Sequence, residues 1–508
     1  MPATNKHSFG IEDQPEVFFT SAETSRAAHY AVRTGRARPI ARGIYTRNLT
    51  EPLDVVVRRN CWRIAAHLFP GAVVVDRTAI QMRPAADDSV TLAATAARDV
   101  RLPGLWLRAR QGDGPLDSDD RWMGEDLFMS SRPRAFLENC RPSRSRTGLA
   151  RTLSQTELEV ALDTYAGRDI ENLNRLRDEA RALVPVLRAE AEFERLDRLI
   201  GALFGTRTGT LASPRARARA RGEPYDEARL QKFEQLAHHL LATAPPHREP
   251  NPAHELSTFA FFEAYFSNFI EGTEFTVDEA KRIVFDGFVP LRRPKDAHDI
   301  LGTYRIVADP ASRARVPGSA AELIRQLQEQ HAAMLKERPE IGPGEFKTEP
   351  NRAGATEFVA PEFVEGTLVA SWRLYNTLPA GFARAAYAMF VVSEVHPFTD
   401  GNGRVARVLM NAELTAAQQQ RIVVPTSLRT DYLSGLRAMT HNAFADTYVT
   451  VLAGLQAFTA ETDFSSREAA EHDLERRHAF GDASLQPMLS QALAEAGTPG
   501  SDSLRLSD

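Results

Sequence analysis

The sequence predicts a mainly α-helical protein: an all-helical core on the carboxyl side carrying a β-hairpin insert, preceded by a small α+β module. Three observations lead there. From Tyr225 to about Glu461, apolar residues recur at three- and four-residue spacing among strong helix formers. Near 344–369 that pattern breaks at glycines and prolines into two short strand-like runs. Further upstream, TSRAAHYAVRTGRARPIARGIYTRN, starting at Thr24, reads as a short helix, a break at Gly35 and a strand-like run from Ile40 to Thr46, the pattern of a winged-helix unit.

At 508 residues the chain exceeds one core, since domains average about 150 residues. Its 43% hydrophobic and 25% charged residues are globular values that exclude a mainly disordered chain. The two cysteines, Cys61 and Cys140, lie far apart without CxxC spacing, which argues for small buried apolar residues in a reducing compartment rather than a disulfide or zinc framework. The amino-terminal residues lack a charged-then-apolar signal pattern, and no apolar run reaches the roughly 18 residues of a membrane span. The expectation is a cytoplasmic protein without membrane contact.

The expected organisation is a winged-helix and accessory region at 15–125, a helical bridging region at 126–205, an arginine-rich connector at 206–224, the helical core at 225–461, and a further helix with a frayed tail at 462–508. Nine arginines between Arg26 and Arg63, against Glu51 and Asp54, make the first region locally basic. The connector, TRTGTLASPRARARARGEP, alternates arginine with small residues and is expected to be solvated and mobile. The stretch from Thr24 onward, with its RGIY strand and the continuation EPLDVVVRRNCWRIAAHLFPGAVVVDRTAI, resembles the amino-terminal region of AbiEi-type antitoxins and related regulators. That resemblance implies contact with DNA through the arginines, as salt-dependent binding to phosphates.

The densest chemistry lies in HPFTDGNGRVAR, residues 396–407. An apolar helix ends at His396-Pro397, a glycine-rich turn follows, and a second helix begins, so backbone N–H groups converge at a helix N-terminus. Such a terminus favours anions, and Gly401 and Gly403 allow close approach of phosphate oxygens. His396 has the one side chain here that ordinarily titrates near neutrality, which makes it the candidate base. Asp400 is the candidate ligand for Mg²⁺, which favours carboxylate and phosphate oxygens. Asn402 and Arg404 are candidate phosphate donors, with Arg407 three residues on and on the same helix face as Arg404. No GxxxxGK[ST] loop occurs, so a P-loop NTPase is excluded.

These twelve residues satisfy every specified position of the HPFx(D/E)GNGRxxR signature, and on it the chain resembles Fic-domain proteins. The resemblance implies transfer of AMP from ATP to a Ser, Thr or Tyr hydroxyl of a target protein, with His396 as base, Asp400 as metal ligand, and Asn402, Gly403 and Arg404 cradling phosphates. Related Doc-type kinases carry lysine at the position of Gly403 and transfer the terminal phosphate instead. GEFKTEPNRAGATEFVAPEFVEGTL, 344–368, resembles the Fic flap, whose hairpin edge registers a target segment by strand addition. Phe358 and Val359 are the candidate clamps, unless they only plug the hairpin onto the core.

Ser267-x-x-x-Glu271-Gly272 matches the [ST]xxxE[GN] inhibitory-helix signature of the same family. Ser267 and Glu271 lie one helical turn apart, Gly272 is placed to close the helix, and Thr276 with Glu279 forms the capping start of the next. A carboxylate there would pair with Arg407 in place of the γ-phosphate. The order of the motifs resembles the class II subgroup. Two other readings stand beside this: a DNA-binding, antitoxin-like regulator whose Fic half senses ATP, and an enzyme that removes AMP with Glu271 activating water. A homodimer is also left open.

Overall fold

The computed structural model describes residues 10–481, apart from 117–119, 122–125, 145–147, 168, 208, 244–246 and 355. The expected tail at 482–508 lies outside the described residues. The chain divides into two compact units, Met1–Arg221 and Gly222–Asp508.

The first unit opens with β1 (Val17–Phe19), α1 (Ser25–Arg33), β2 (Arg38–Ala41) and β3 (Ile44–Thr46). The strands form an antiparallel sheet in the order β1-β3-β2, with Gly43 at φ +79° turning the β2–β3 hairpin where a side chain would be strained. Several of the clustered arginines are engaged within the unit: Arg38 donates to Asn48 O and Glu51 O, Arg47 to Glu12 O, Arg58 to Asp88, and Arg59 to Glu16 and Glu51, while Arg63 lies over the Phe19 ring.

α2 (Leu53–Arg59), α3 (Cys61–Leu68), β4 (Ala72–Val74), α4 (Asp76–Gln81), β5 (Ser89–Ala94), β6 (Arg98–Leu102), β7 (Leu105–Gln111), β8 (Asp120–Arg121) and β9 (Leu127–Met129) follow. Six of these strands make a mixed sheet, β6-β7-β5-β4-β9-β8, with β4∥β9 and β5∥β7. β9 pairs with β4, so the sheet crosses the boundary expected at 125. Three-residue strands such as AVV and LFM are too short to show a period.

Helices α5 (Arg132–Asn139), α6 (Gln155–Ala166), α7 (Glu171–Leu187) and α8 (Glu190–Leu203) bury a leucine-rich core that also holds Cys140; both cysteines are free and buried. The arginine-rich stretch departs from the expected mobile connector. Ser213 caps and Pro214 starts α9 (Pro214–Ala220), Ala216 and Ala218 are buried, and Arg215 and Arg219 both pair with Asp163 of α6. Ala216, Ala218 and Arg219 are buried against the unit, where one buried carboxylate compensates two guanidinium groups.

The second unit contains α10 (Glu227–Ala242), α11 (Leu256–Ile270), α12 (Val277–Asp286), α13 (Pro294–Ala308), α14 (Ala320–Met334), the hairpin β10 (Arg352–Ala353) and β11 (Thr356–Glu357), then α15 (Val364–Tyr375), α16 (Phe382–Val395), α17 (Asn402–Ala416), α18 (Arg429–Asn442), α19 (Ala445–Glu461) and α20 (Arg467–Arg476). α16 and α17 are its centre and are buried almost all round, as their apolar runs dictate. α11 is buried on two faces: Ala260 and Ala264 join the central core, while Phe262 and Phe266 pack with Phe464 and Phe480 of the α20 segment. α12 starts with the expected capping box, Thr276 and Glu279. No helix among the described residues is long and apolar enough to cross a membrane.

Candidate active site

The loop 396–401 joins the two central helices. α16 ends on His396, whose φ of +53° turns the chain back, and α17 begins at Asn402 behind Gly401, φ +77°. The loop is fixed from several sides. Asn402 Oδ1 accepts from Phe398 N and its Nδ2 donates to Phe398 O, both at 2.8 Å. Asn351 Nδ2 donates to the same carbonyl at 2.9 Å, Lys347 N donates to Pro397 O at 2.9 Å, and Lys347 Nζ bonds Asn351 Oδ1 at 2.6 Å. His331 stacks on Phe398 and donates from Nε2 to Asp400 O at 3.0 Å, its Nδ1 accepting from Gly344 N at 2.8 Å.

Asn402 is therefore corrected from a phosphate donor to a loop brace: its buried side chain is consumed by the Phe398 peptide, and only its backbone belongs to the helix N-terminus. Val359 is likewise corrected, being fully buried in the central core rather than placed to clamp a target. Phe358 is half-buried and stacks flat on the His396 ring, centroids 3.7 Å apart.

His396 Nδ1 lies 3.2 Å from Ser393 O, which assigns the proton to Nδ1 and leaves the Nε2 lone pair. Burial, with a smaller contribution from Lys347, lowers its pKa to about 4. The imidazole is thus neutral at physiological pH. Lys347 is itself lowered to about 8 by burial.

Asp400 is half exposed; its Oδ1 accepts from Gly401 N at 2.7 Å and its Oδ2 stands 3.7 Å from Arg404 Nη2. One accessible carboxylate beside an anion site fits Mg²⁺, which takes one or two carboxylates together with substrate phosphates rather than an all-protein cage. Among the described residues no group of three or more His, Cys, Asp or Glu side chains is placed to hold a metal.

Arg407 is buried and held mainly from α11 and its C-cap: Nη2 donates to Glu271 Oε1 at 2.7 Å and to Ser267 O at 2.8 Å, Nε donates to Ser267 Oγ at 3.0 Å, and Nη1 donates to Tyr432 Oη of α18 at 3.4 Å. α11 ends at Ile270, and Gly272 at φ +90° turns the chain behind Glu271. Glu271 Oε1 comes so close to Gly403 that a Cβ there would stand 2.3 Å from it. The protein's own carboxylate therefore sits on the first turn of α17, where backbone and guanidinium both attract an anion.

Sequence reasoning missed Asp299, Asn268 and His331. Asp299 Oδ2 accepts from Arg404 Nη1 at 2.8 Å, and Asn268 Oδ1 from the same nitrogen at 3.2 Å. Each is a lone polar residue on a helix face otherwise turned inward, a weak signal that depends on knowing which helices touch.

Residues 321–414, from α14 through α17, match the model of the Fic/DOC family. The protein adenylyltransferase fic-1 of Caenorhabditis elegans is 27% identical over 186 residues, 35% of this chain and 36% of that protein. The protein adenylyltransferase Fic of Drosophila persimilis is 27% identical over 218 residues, 42% of each. The chain thus spans well under half the length of these relatives. The solved structure of C. elegans Fic-1, residues 134–508 of that protein, aligns over 64% of this chain and 98% of its own at 18% identity and a TM-score of 0.34. The matched stretch contains His396, Asp400, Arg404 and Arg407, whereas Ser267 and Glu271 lie ahead of it.

Proposed function

We propose that this protein is an adenylyltransferase that moves AMP from ATP to a Ser, Thr or Tyr hydroxyl of a target protein and is restrained by Glu271. The observation that carries the reading is the carboxylate of Glu271 on Gly403 and Arg407, an anion bound where a phosphate chain would bind. With Glu271 displaced, the N–H groups at the start of α17 and the Arg407 fork receive the phosphates. The acceptor hydroxyl oxygen attacks the α-phosphorus, its proton passes to His396 Nε2, and the bond to the bridging oxygen breaks to release pyrophosphate. Asp400 would hold Mg²⁺, which would neutralise phosphate charge.

The donor position tests this directly. Full-length Glu271→Gly protein with ATP and Mg²⁺ is expected to leave label on acceptor protein from α-³²P-ATP and none from γ-³²P-ATP. Label from the γ position alone would make it a kinase, and no label from either would reject the reading.

We further propose that the amino-terminal module, which resembles the AbiEi winged helix, contacts nucleic acid. Supporting this is a surface on α1 where Arg26, Tyr30 and Arg33 are exposed, with Arg36 just beyond it and Arg42 on the hairpin turn. The Arg33 and Arg36 guanidinium groups lie over the Tyr30 ring at 5.4 and 5.7 Å, which keeps cations and an aromatic face together at the surface. Binding to a 20-base-pair duplex, followed by fluorescence anisotropy, is expected to weaken steeply between 50 and 200 mM salt, and replacing Arg26, Arg33 and Arg36 by alanine to flatten the salt slope by about 2 to 3. A slope unchanged by the triple substitution would assign those arginines to solvation.

A further inference from the structure

Arg404 is buried, its side chain only 2% exposed, and its guanidinium has two distinct edges. Nη1 is held by Asp299 of α13 and Asn268 of α11. Nη2 faces Asp400 Oδ2, and Nε has no partner. Asp299 is itself buried and is shared with Arg338, whose Nε donates to it at 2.8 Å and whose Nη2 lies 2.7 Å away; Arg338 also reaches Asp296. Asn268 is pinned by its other end, Nδ2 donating to Ala264 O and to Thr303 Oγ1, and Thr303 in turn donates to Asp299 O. The amide oxygen of Asn268 is therefore oriented toward Arg404 by α13 as well as by its own helix.

We propose that Asp299 and Asn268 are positioning residues for Arg404, so that the helix carrying the restraint also builds the phosphate site it restrains. The proposal rests on the AMP-transfer reading above. A guanidinium that is anchored along one edge presents the other at a fixed place, and the presented edge here faces the carboxylate that would meet the metal and the phosphates. Asp299 supplies the counter-charge that lets Arg404 stay buried. α11 thus touches both arginines of α17, Arg407 through Ser267 and Glu271 and Arg404 through Asn268. Of these three α11 residues, Glu271 alone is partly exposed and sits past the last helical turn, while Ser267 and Asn268 are buried within the helix. Release of Glu271 leaves the Arg404 socket in place, whereas departure of α11 as a body removes its Asn268 member and leaves Asp299.

The test is made in full-length Glu271→Gly protein, comparing Asp299→Asn, Asp299→Ala and Asn268→Ala by AMP-transfer kinetics and by ATP binding in calorimetry with Mg²⁺. The expected result is a rise of at least tenfold in KM and Kd for ATP with Asp299→Ala, and smaller rises with Asp299→Asn and Asn268→Ala. A purely structural part would instead lower the folded fraction, reducing apparent kcat and calorimetric stoichiometry with KM and Kd unchanged. If Asp299→Ala does not fold, the isosteric Asp299→Asn and the Asn268→Ala variants decide. KM and Kd within twofold of the parent for both would overturn the socket. Should the Glu271→Gly parent bind ATP without transferring AMP, the reaction is misread, yet Kd still decides the socket. A parent that neither transfers nor binds overturns both.

Discussion

Replacing His396 with alanine is expected to slow AMP transfer by about 10²- to 10⁴-fold, the usual contribution of a positioned general base, while ATP binding measured by calorimetry stays within a fewfold. The expectation follows from geometry. His396 lies at the turn ahead of the N-terminus of α17, its Nδ1 is tied to Ser393 O, and among the described residues its Nε2 lone pair has no hydrogen-bond partner. Burial lowers its pKa to about 4, so the neutral, proton-accepting form dominates at pH 7. Acid removes that form. kcat/KM, which reports the free enzyme, is expected to be flat above about pH 5 and to fall about tenfold per unit below pH 4. Bound phosphates add negative charge beside the ring and favour its protonation, so the break in kcat lies at higher pH than the break in kcat/KM. Transfer by His396→Ala within tenfold of the parent would remove the base from the mechanism. The comparison belongs in the Glu271→Gly background, where the rate is large enough to measure.

Glu271→Gly is expected to raise transfer about 10- to 150-fold and to lower stability at the same time. The carboxylate makes a charge-assisted hydrogen bond to buried Arg407, a class that contributes about 1.5–3 kcal/mol, and each 1.4 kcal/mol is tenfold in the equilibrium that ATP must win. Arg407 then keeps Ser267 O, Ser267 Oγ and Tyr432 Oη but loses the Glu271 carboxylate, which costs about 1–3 kcal/mol of folding stability. Thermal melting without nucleotide should record the loss, and added ATP and Mg²⁺ should restore part of it by mass action. Glu271→Gln keeps an acceptor without its charge and is expected to fall between the two in both measurements. A Glu271→Gly protein no faster than the parent would separate the contact seen at Arg407 from any restraint.

The turn at 396–407 was legible because its constraints are local. Two glycines, a helix stop and a helix start within a dozen residues define one geometry, and His396, Asp400, Gly401 and Gly403 stand where that geometry requires. The Glu271–Arg407 contact was legible through helical spacing and a resemblance. Asn402 was misjudged because a side-chain amide serves a phosphate or a peptide equally well, and the Phe398 peptide that consumes it is recognisable only once the loop is folded. Val359 failed for a related reason, since it lies in the irregular stretch just after β11, where no period reveals which side chains point inward. Asp299 is separated from Arg404 by more than a hundred positions in the chain, and no local pattern announces such a pair. The arginine-rich run at 214–220 looked solvated by composition. Its helix forms because Asp163, fifty residues earlier, compensates the charge.

The flat stack of Phe358 on His396 bears on a competing reaction. Water is a far more abundant nucleophile than any protein hydroxyl, and an uncovered imidazole beside bound ATP would squander the nucleotide by hydrolysis. A benzene ring lying 3.7 Å over the base covers one of its faces and excludes solvent there. On the proposed reading, an acceptor segment pairs with the adjoining hairpin edge, an advantage that a lone water molecule lacks. On the same reading, this aromatic cover confines the approach of a nucleophile to the plane of the His396 ring, where the Nε2 lone pair lies.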